Sequence, residues 1–206
     1  MQPFHDPARS EIRTADVMTA LREGTRAAHD RMERALDLPG RLGDPAQLVA
    51  VIERFHGFHA VWEPAIGAAL RDPAFHAPRM KLPLLRADLR ALGHADDAID
   101  ALPVCHEAWR LASEPWGSIY VLEGSTLGGQ VIARQLERLP NGMVSPGYFR
   151  PYGNVTGAMW RALQGRLTLA AAYVGIDAMV QSASATFDLL HDWLSPEARN
   201  GHERAA

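Results

Sequence analysis

Residues 116–139 read WGSIYVLEGSTLGGQVIARQLERL, and the way this stretch folds decides the class of the whole chain. Its weakly polar first half contains β-branched residues, which suits a strand. Its length and its charged, helix-forming end from Ala133 to Leu139 favour one long helix instead. No alternating β pattern occurs elsewhere, so the chain reads as all-α.

Working outward, helical periodicity recurs on both sides. A helix is expected from about Asp16 to Leu38, capped by Thr14 or Asp16 and ended by Pro39-Gly40. Its apolar stripe is Leu21, Ala28, Met32, Ala35 and Leu36. Asp44-Pro45 starts a second helix that runs to Leu70, with Leu48, Ile52, Phe55 and Phe58 on one face. A proline-containing loop follows Asp72-Pro73, then a short helix from Pro83 to Leu92-Gly93 and an acidic turn over 94–103. Residues 105–112 are helical or loop. Asn141-Gly142 and Pro146-Gly147 read as turns, followed by two helices, about Val155 to Val174 and Asp177 to Trp193. Residues 1–14 and 196–206 are expected as tails around one domain, 15–195.

Composition narrows the function classes. The chain of 206 residues is 47% hydrophobic and 22% charged, with net charge -3, which gives no overall pull toward nucleic acid or anionic membranes. It lacks a run approaching the roughly 18 apolar residues of a membrane span or a signal-like N-terminus, and Cys105 is its one cysteine. The expectation is a cytoplasmic protein without a disulfide framework.

His29 shares its helix face with Thr25, Met32 and Leu36, and Glu33 follows one turn later. Two readings stand: a core histidine bonded to its surroundings, or an iron ligand whose second ring nitrogen is held by Glu33. Gly117, Gly124, Gly128 and Gly129 fall within the long segment, each costing about 1 kcal/mol relative to alanine. Close helix packing is one reason for them; backbone approach to a flat ligand is the other. Neither a dinucleotide fingerprint nor a P-loop is present. His56 and His59, with Glu53 and Glu63, suggest a carboxylate-rich metal site, but no second Glu-x-x-His helix appears to complete it. His76, His94, His106, His191 and His202 read as surface or turn residues, and Cys105 as an ordinary thiol.

LREGTRAAHDRME, from Leu21 to Glu33, resembles the proximal-helix motif of heme oxygenases, L-x-x-x-T-x-x-x-H-x-x-x-E. WGSIYVLEGSTLGGQVI, from Trp116 to Ile132, is similar to the distal helix of the bacterial, biliverdin-producing branch. PRMKLPLLRADLRALG (78–93) and FRPYGNVTGAMWRAL (149–163) resemble two further segments of that branch, in the same order. The resemblance implies a single-domain helical bundle with heme between a proximal and a distal helix. It implies that His29 ligates the iron and Glu33 supports it, and that Arg22 and Arg161 meet the propionates. Tyr120 lies near the propionate edge in this reading, and Phe187 in the pocket wall. Gly124, Gly128 and Gly129 let the distal helix pass close over heme. Ser125 stands where the animal enzymes have an aspartate, which leaves open how the distal water is held.

The family converts heme, which is substrate and cofactor together, to biliverdin, carbon monoxide and iron, with molecular oxygen and electrons from an external reductant. The partners implied are an electron donor such as a ferredoxin or a flavin reductase, and a biliverdin-using phytochrome. No nucleic acid or membrane partner is expected. Two other readings remain: a heme carrier on the same fold without turnover, and a thiaminase-like hydrolase, for which no nucleophile and carboxylate pair can be placed.

Overall fold

Thr14–Leu36 (α1) opens the chain's helical core in a computed structural model that describes residues 13–41, 43–138 and 146–195. Leu38–Arg41 (α2), Pro45–Leu70 (α3), Pro73–His76 (α4), Leu82–Ala91 (α5) and Asp96–Asp100 (α6) follow. After them come Pro115–Glu137 (α7), Thr156–Val174 (α8) and Ile176–Leu194 (α9). There is no strand among the described residues, and no helix is long and apolar enough to cross a membrane. The all-α class holds, and 116–137 lie within one helix as the sequence implied.

Several boundaries differ from expectation for local reasons. Arg13, not Thr14 or Asp16, is the N-cap of α1, and Asp16 sits in the first turn, 2.8 Å from the Arg13 guanidinium. That position suits a carboxylate because the helix N-terminus carries partial positive charge. Arg13 and Thr14 thus belong to the start of α1; the rest of the expected tails, Leu139 and the Asn141-Gly142 turn lie outside the described residues. At its other end α1 stops at Asp37, which takes a left-handed conformation, φ 36°, while Pro39-Gly40 fall inside the one-turn α2. The proline loop after Asp72 winds into α4 and a 3-10 turn over Ala77–Arg79, and the acidic turn into α6.

Asp44 caps α3 as its sequence suggests, accepting from Ala46 N at 2.9 Å, with Pro45 in the first turn. Glu114 caps α7 by accepting from Trp116 N and Gly117 N, at 3.1 and 2.9 Å. Gly175 separates α8 from α9 at φ 89°, a backbone conformation that favours glycine.

Packing sorts the helices around two shared members. α1, α7 and α8 all pack on α9, and α8 also packs on α1 and α7. On the other side α3 packs on α5, on α9 and on the 3-10 segment His106–Ser113. Trp62 Nε1 donates to Ser118 Oγ at 2.6 Å and Trp193 Nε1 to the Arg54 carbonyl at 2.7 Å, tying α3 to α7 and α9. The core comprises Leu21, Ile52, Phe58, Ile66, Leu122, Leu163 and Ala183 among others.

Candidate functional site

The residues singled out in sequence lie mainly on two helices. α1 carries Arg22, His29 and Glu33; α7 carries Tyr120, Gly124, Ser125, Gly128 and Gly129. Both pack on α8 and α9 but make little contact with each other. Where they approach, Tyr120 reaches the Thr25 hydroxyl and the Arg22 charge. Burial pushes the Tyr120 phenol up, and those two neighbours pull it back. Trp160 of α8 stands 6.0 Å from the Tyr120 ring.

Thr25 and Ala28 on α1 are buried, but the His29 side chain is 46% exposed. Its Nδ1 lies 3.6 Å from Asp30 and its Nε2 3.6 Å from Glu33. Both distances exceed hydrogen-bond length, so neither nitrogen is committed. Phe187 of α9 holds the ring edge-on, with centroids 5.6 Å apart and planes at 82°. His29, Asp30 and Glu33 can bring one ligand atom each to within 4.8 Å of one another. Asp30 did not stand out in sequence because adjacent helical residues do not share a face.

The glycines of α7 divide into two kinds. A Cβ on Gly117 would fall 2.6 Å from Ala183 N, and one on Gly129 would fall 2.7 Å from the Phe149 carbonyl oxygen. These two allow close backbone packing, Gly117 on α9 and Gly129 on Phe149. A Cβ on Gly124 would meet only the Trp160 ring at 3.7 Å, and one on Gly128 would meet nothing within 4 Å. Val131, one turn beyond Gly128, and its neighbour Leu127 are 48% and 42% exposed. Ser125 donates to the Leu122 carbonyl at 2.8 Å and is itself exposed. Behind Ser125 is a cavity of about 60 Å³, bounded by Thr126, Gly129, Lys81 and Tyr148. At about 10–15 Å³ per water, it has room for more than one.

Beneath α7 runs a buried charged cluster that sequence reasoning missed. Lys81 Nζ donates to Glu123 Oε1 at 2.5 Å, and Tyr152 donates to the same oxygen at 2.7 Å. Arg79 Nε lies 3.6 Å from Glu123 Oε2. Glu63 accepts from Lys81 N at 2.6 Å and Leu82 N at 3.0 Å, and faces His59 Nδ1 at 2.9 Å. Burial lowers the His59 pKa, more than Glu63 raises it, so His59 is neutral. Burial works against ionised Glu63, but His59 and the two backbone donors outweigh it and hold the carboxyl below its usual range. Two cations, Arg79 and Lys81, thus balance two anions, Glu63 and Glu123. The available signal was Glu123, the lone charge between Trp116 and Ile132.

The other histidines separate. Glu53 pairs with His94 at 2.8 Å and Glu63 with His59, so no joint metal site forms from His56, His59, Glu53 and Glu63. His94 is thereby a partly buried, paired residue rather than a simple turn histidine. His106 is exposed, His191 faces Asp192 at 3.0 Å, and His202 lies outside the described residues. Burial, with Glu107 nearby, raises the Cys105 thiol to about 11, so it remains an ordinary thiol.

A flat, largely apolar group whose metal accepts an imidazole fits this set. α1 offers an uncommitted imidazole and the exposed Arg22, α7 an open glycine with exposed aliphatic neighbours, and α8 the exposed Arg161, neither arginine with a carboxylate partner among the described residues. No family model matches the chain. A solved structure, that of heme oxygenase from Leptospira interrogans, has a TM-score of 0.67 at 18% identity, over 87% of this chain and 98% of that one. That likeness establishes the fold. A curated protein named heme oxygenase, from Xanthomonas campestris pv. campestris (strain 8004), is 39% identical over 123 residues, which are 59% of this chain and 71% of that protein. By this identity and coverage, the chain belongs to the heme oxygenase family.

Proposed function

We propose that the protein binds heme through His29 and oxidatively opens it to biliverdin, releasing carbon monoxide and iron. The observations that carry this reading are an uncommitted, half-exposed imidazole on α1 and an open Gly128 span on α7, two helices that both pack on α8 and α9. Molecular oxygen and electrons from an external donor, a ferredoxin or a flavin reductase, complete the reaction. The setting is the cytoplasm, and a biliverdin-using phytochrome is the proposed recipient of product.

Bound heme supplies the redox chemistry at its iron, and the chain supplies position and solvent control. His29 would hold the metal through one ring nitrogen, and Glu33 or Asp30, 3.6 Å away, would accept from the other, fixing the tautomer and making the ligand more basic. Phe187 limits the tilt of the ring by its edge contact. Gly124 and Gly128 present bare backbone, which would let a flat group approach α7 at Gly128 without meeting a side chain of that residue. The Ser125 hydroxyl donates its hydrogen bond to the Leu122 carbonyl, so its oxygen lone pairs would be left to accept from water. Arg22, beside Tyr120, and Arg161 would hold one propionate each and so select the orientation in which heme is bound.

Ferric heme added to the protein, then a reductant in air, tests the reaction. Loss of the Soret band with growth of biliverdin absorption is the expected result; a stable band identifies a carrier instead. Arg161→Ala is expected to yield mixed biliverdin isomers. One charge-assisted contact contributes about 1.5–3 kcal/mol, and about 1.4 kcal/mol already biases two orientations tenfold. An unchanged isomer ratio in both Arg22→Ala and Arg161→Ala rules out the propionate roles.

A further inference from the structure

The open span of α7 is held at both ends by one short helix. At one end, Glu123 immediately precedes Gly124 and is gripped by Lys81 and Tyr152. At the other, Gly129 packs on the Phe149 carbonyl. Phe149 belongs to a 3-10 turn, Gly147–Phe149, whose first two N–H groups donate to the Asp88 carboxylate at 2.7 and 2.8 Å. Lys81 is the N-cap of α5 and Asp88 lies in its last half. Along a helix, Lys81 and Asp88 are about 10 Å apart and Glu123 and Gly129 about 9 Å, so the spacing of the two grips matches.

The span itself has little to fix it. Three glycines in six residues loosen a helix, and Gly128 has no neighbour to lean on. The brace, by contrast, is anchored: Glu63 of α3 accepts from the N–H groups of Lys81 and Leu82 and so pins the start of α5. Burying Lys81 and Glu123 is an expensive way to gain stability alone, since apolar replacement of such pairs is often neutral or better. In some proteins a buried polar pair is retained because it fixes one geometry, and that is the role inferred for this one.

We propose that Lys81 and Asp88 are positioning residues for the heme reaction: through Glu123 and the Gly147–Phe149 turn they clamp α7 on either side of residues 124–128 and set how far that span stands from heme. The proposal rests on the reading of α7 as the heme-facing helix.

The test uses the full-length protein loaded with ferric heme. One variant, Lys81→Met/Glu123→Leu/Tyr152→Phe, removes the first grip with volumes roughly kept, and Arg79 keeps its bonds to the Phe75 and Met159 carbonyls. A second, Asp88→Ala, loosens the other end independently. Each is read by the ferric absorption bands, the pH midpoint of their acid–alkaline transition, and the biliverdin isomer ratio. Both are expected to keep His29 ligation while the isomer ratio changes by at least about threefold, equivalent to less than the 1.4 kcal/mol of a tenfold change, and the midpoint moves. Glu123→Asp, which keeps the charge but shortens the arm, is expected to move the same readouts. Parent-like bands, midpoint and isomer ratio in the folded variants overturn the proposal. Should the triple variant not fold, Asp88→Ala and Glu123→Asp decide it by the same criterion. A parent protein that takes up no heme refutes the heme reading itself, and the clamp with it.

Discussion

The chain carries the pattern His-x-x-x-Glu twice in its helices, and the two copies live in different worlds. In α3, His59 and Glu63 are fully buried and 2.9 Å apart, with Tyr148 3.4 Å from the other ring nitrogen. In α1, His29 and Glu33 are 46% and 65% exposed and 3.6 Å apart, and the ring's other nitrogen is equally uncommitted. Spacing puts both pairs on one helix face, but surroundings decide their chemistry. A histidine whose two nitrogens are already occupied serves the fold; one whose nitrogens are free is available to a metal.

The sharpest way to break this contrast is alanine at each histidine. His29→Ala is expected to abolish normal turnover while changing stability by no more than about 0.5 kcal/mol, with imidazole restoring part of the activity. His59→Ala is expected to do the reverse, lowering stability by about 1.5–3 kcal/mol because buried Glu63 loses one of its hydrogen-bond donors. Chemical denaturation and single-turnover heme degradation on both variants check the two halves. Loss of heme ligation in folded His59→Ala would erase the distinction.

The same lesson applies to the glycines, with smaller effects. Gly117→Ala forces a Cβ against the backbone of α9, and overpacking of that kind costs about 1–3 kcal/mol. Gly128→Ala meets open space and is expected to stabilise the apo protein by up to about 1 kcal/mol, while slowing heme degradation. Thermal melts of the two apo variants should therefore move in opposite directions; equal destabilisation would place Gly128 in a packed interface.

Much of the fold was legible in the sequence because it depends on local signals. Asp44-Pro45 starts α3, and the helix-forming end of 116–139 settles α7. Pro39-Gly40 misled because the chain had already turned at Asp37, two residues earlier. The candidate pair His29 and Glu33 was legible because its spacing is confined to one helix. The sorting of the glycines was not, since the partners that explain Gly117 and Gly129 lie at Ala183 and Phe149, far along the chain. Lys81 and Glu123 likewise read as ordinary charges until folding brings them together.

The smallest expected effect is on the pH dependence of stability. Burial holds the folded pKa of His59 below its unfolded value of about 6.5. The unfolded chain therefore binds the proton first, and stability is complete above that pH and declines as pH falls toward the folded value. His56 and His76 are shifted in the same direction by burial and add to the slope. Replacing His59 with Gln should flatten the decline between neutral and mildly acidic pH in denaturation midpoints; an unchanged slope would assign it to the other two.

The central claim is that His29, and not its buried counterpart, meets the iron. Resonance Raman spectra of the ferrous heme complexes test it directly. An iron–imidazole stretching band present in the parent and in His59→Ala, absent in His29→Ala and regained there with added imidazole, is the predicted result. A band that survives in His29→Ala without imidazole, or that disappears in folded His59→Ala, would contradict it.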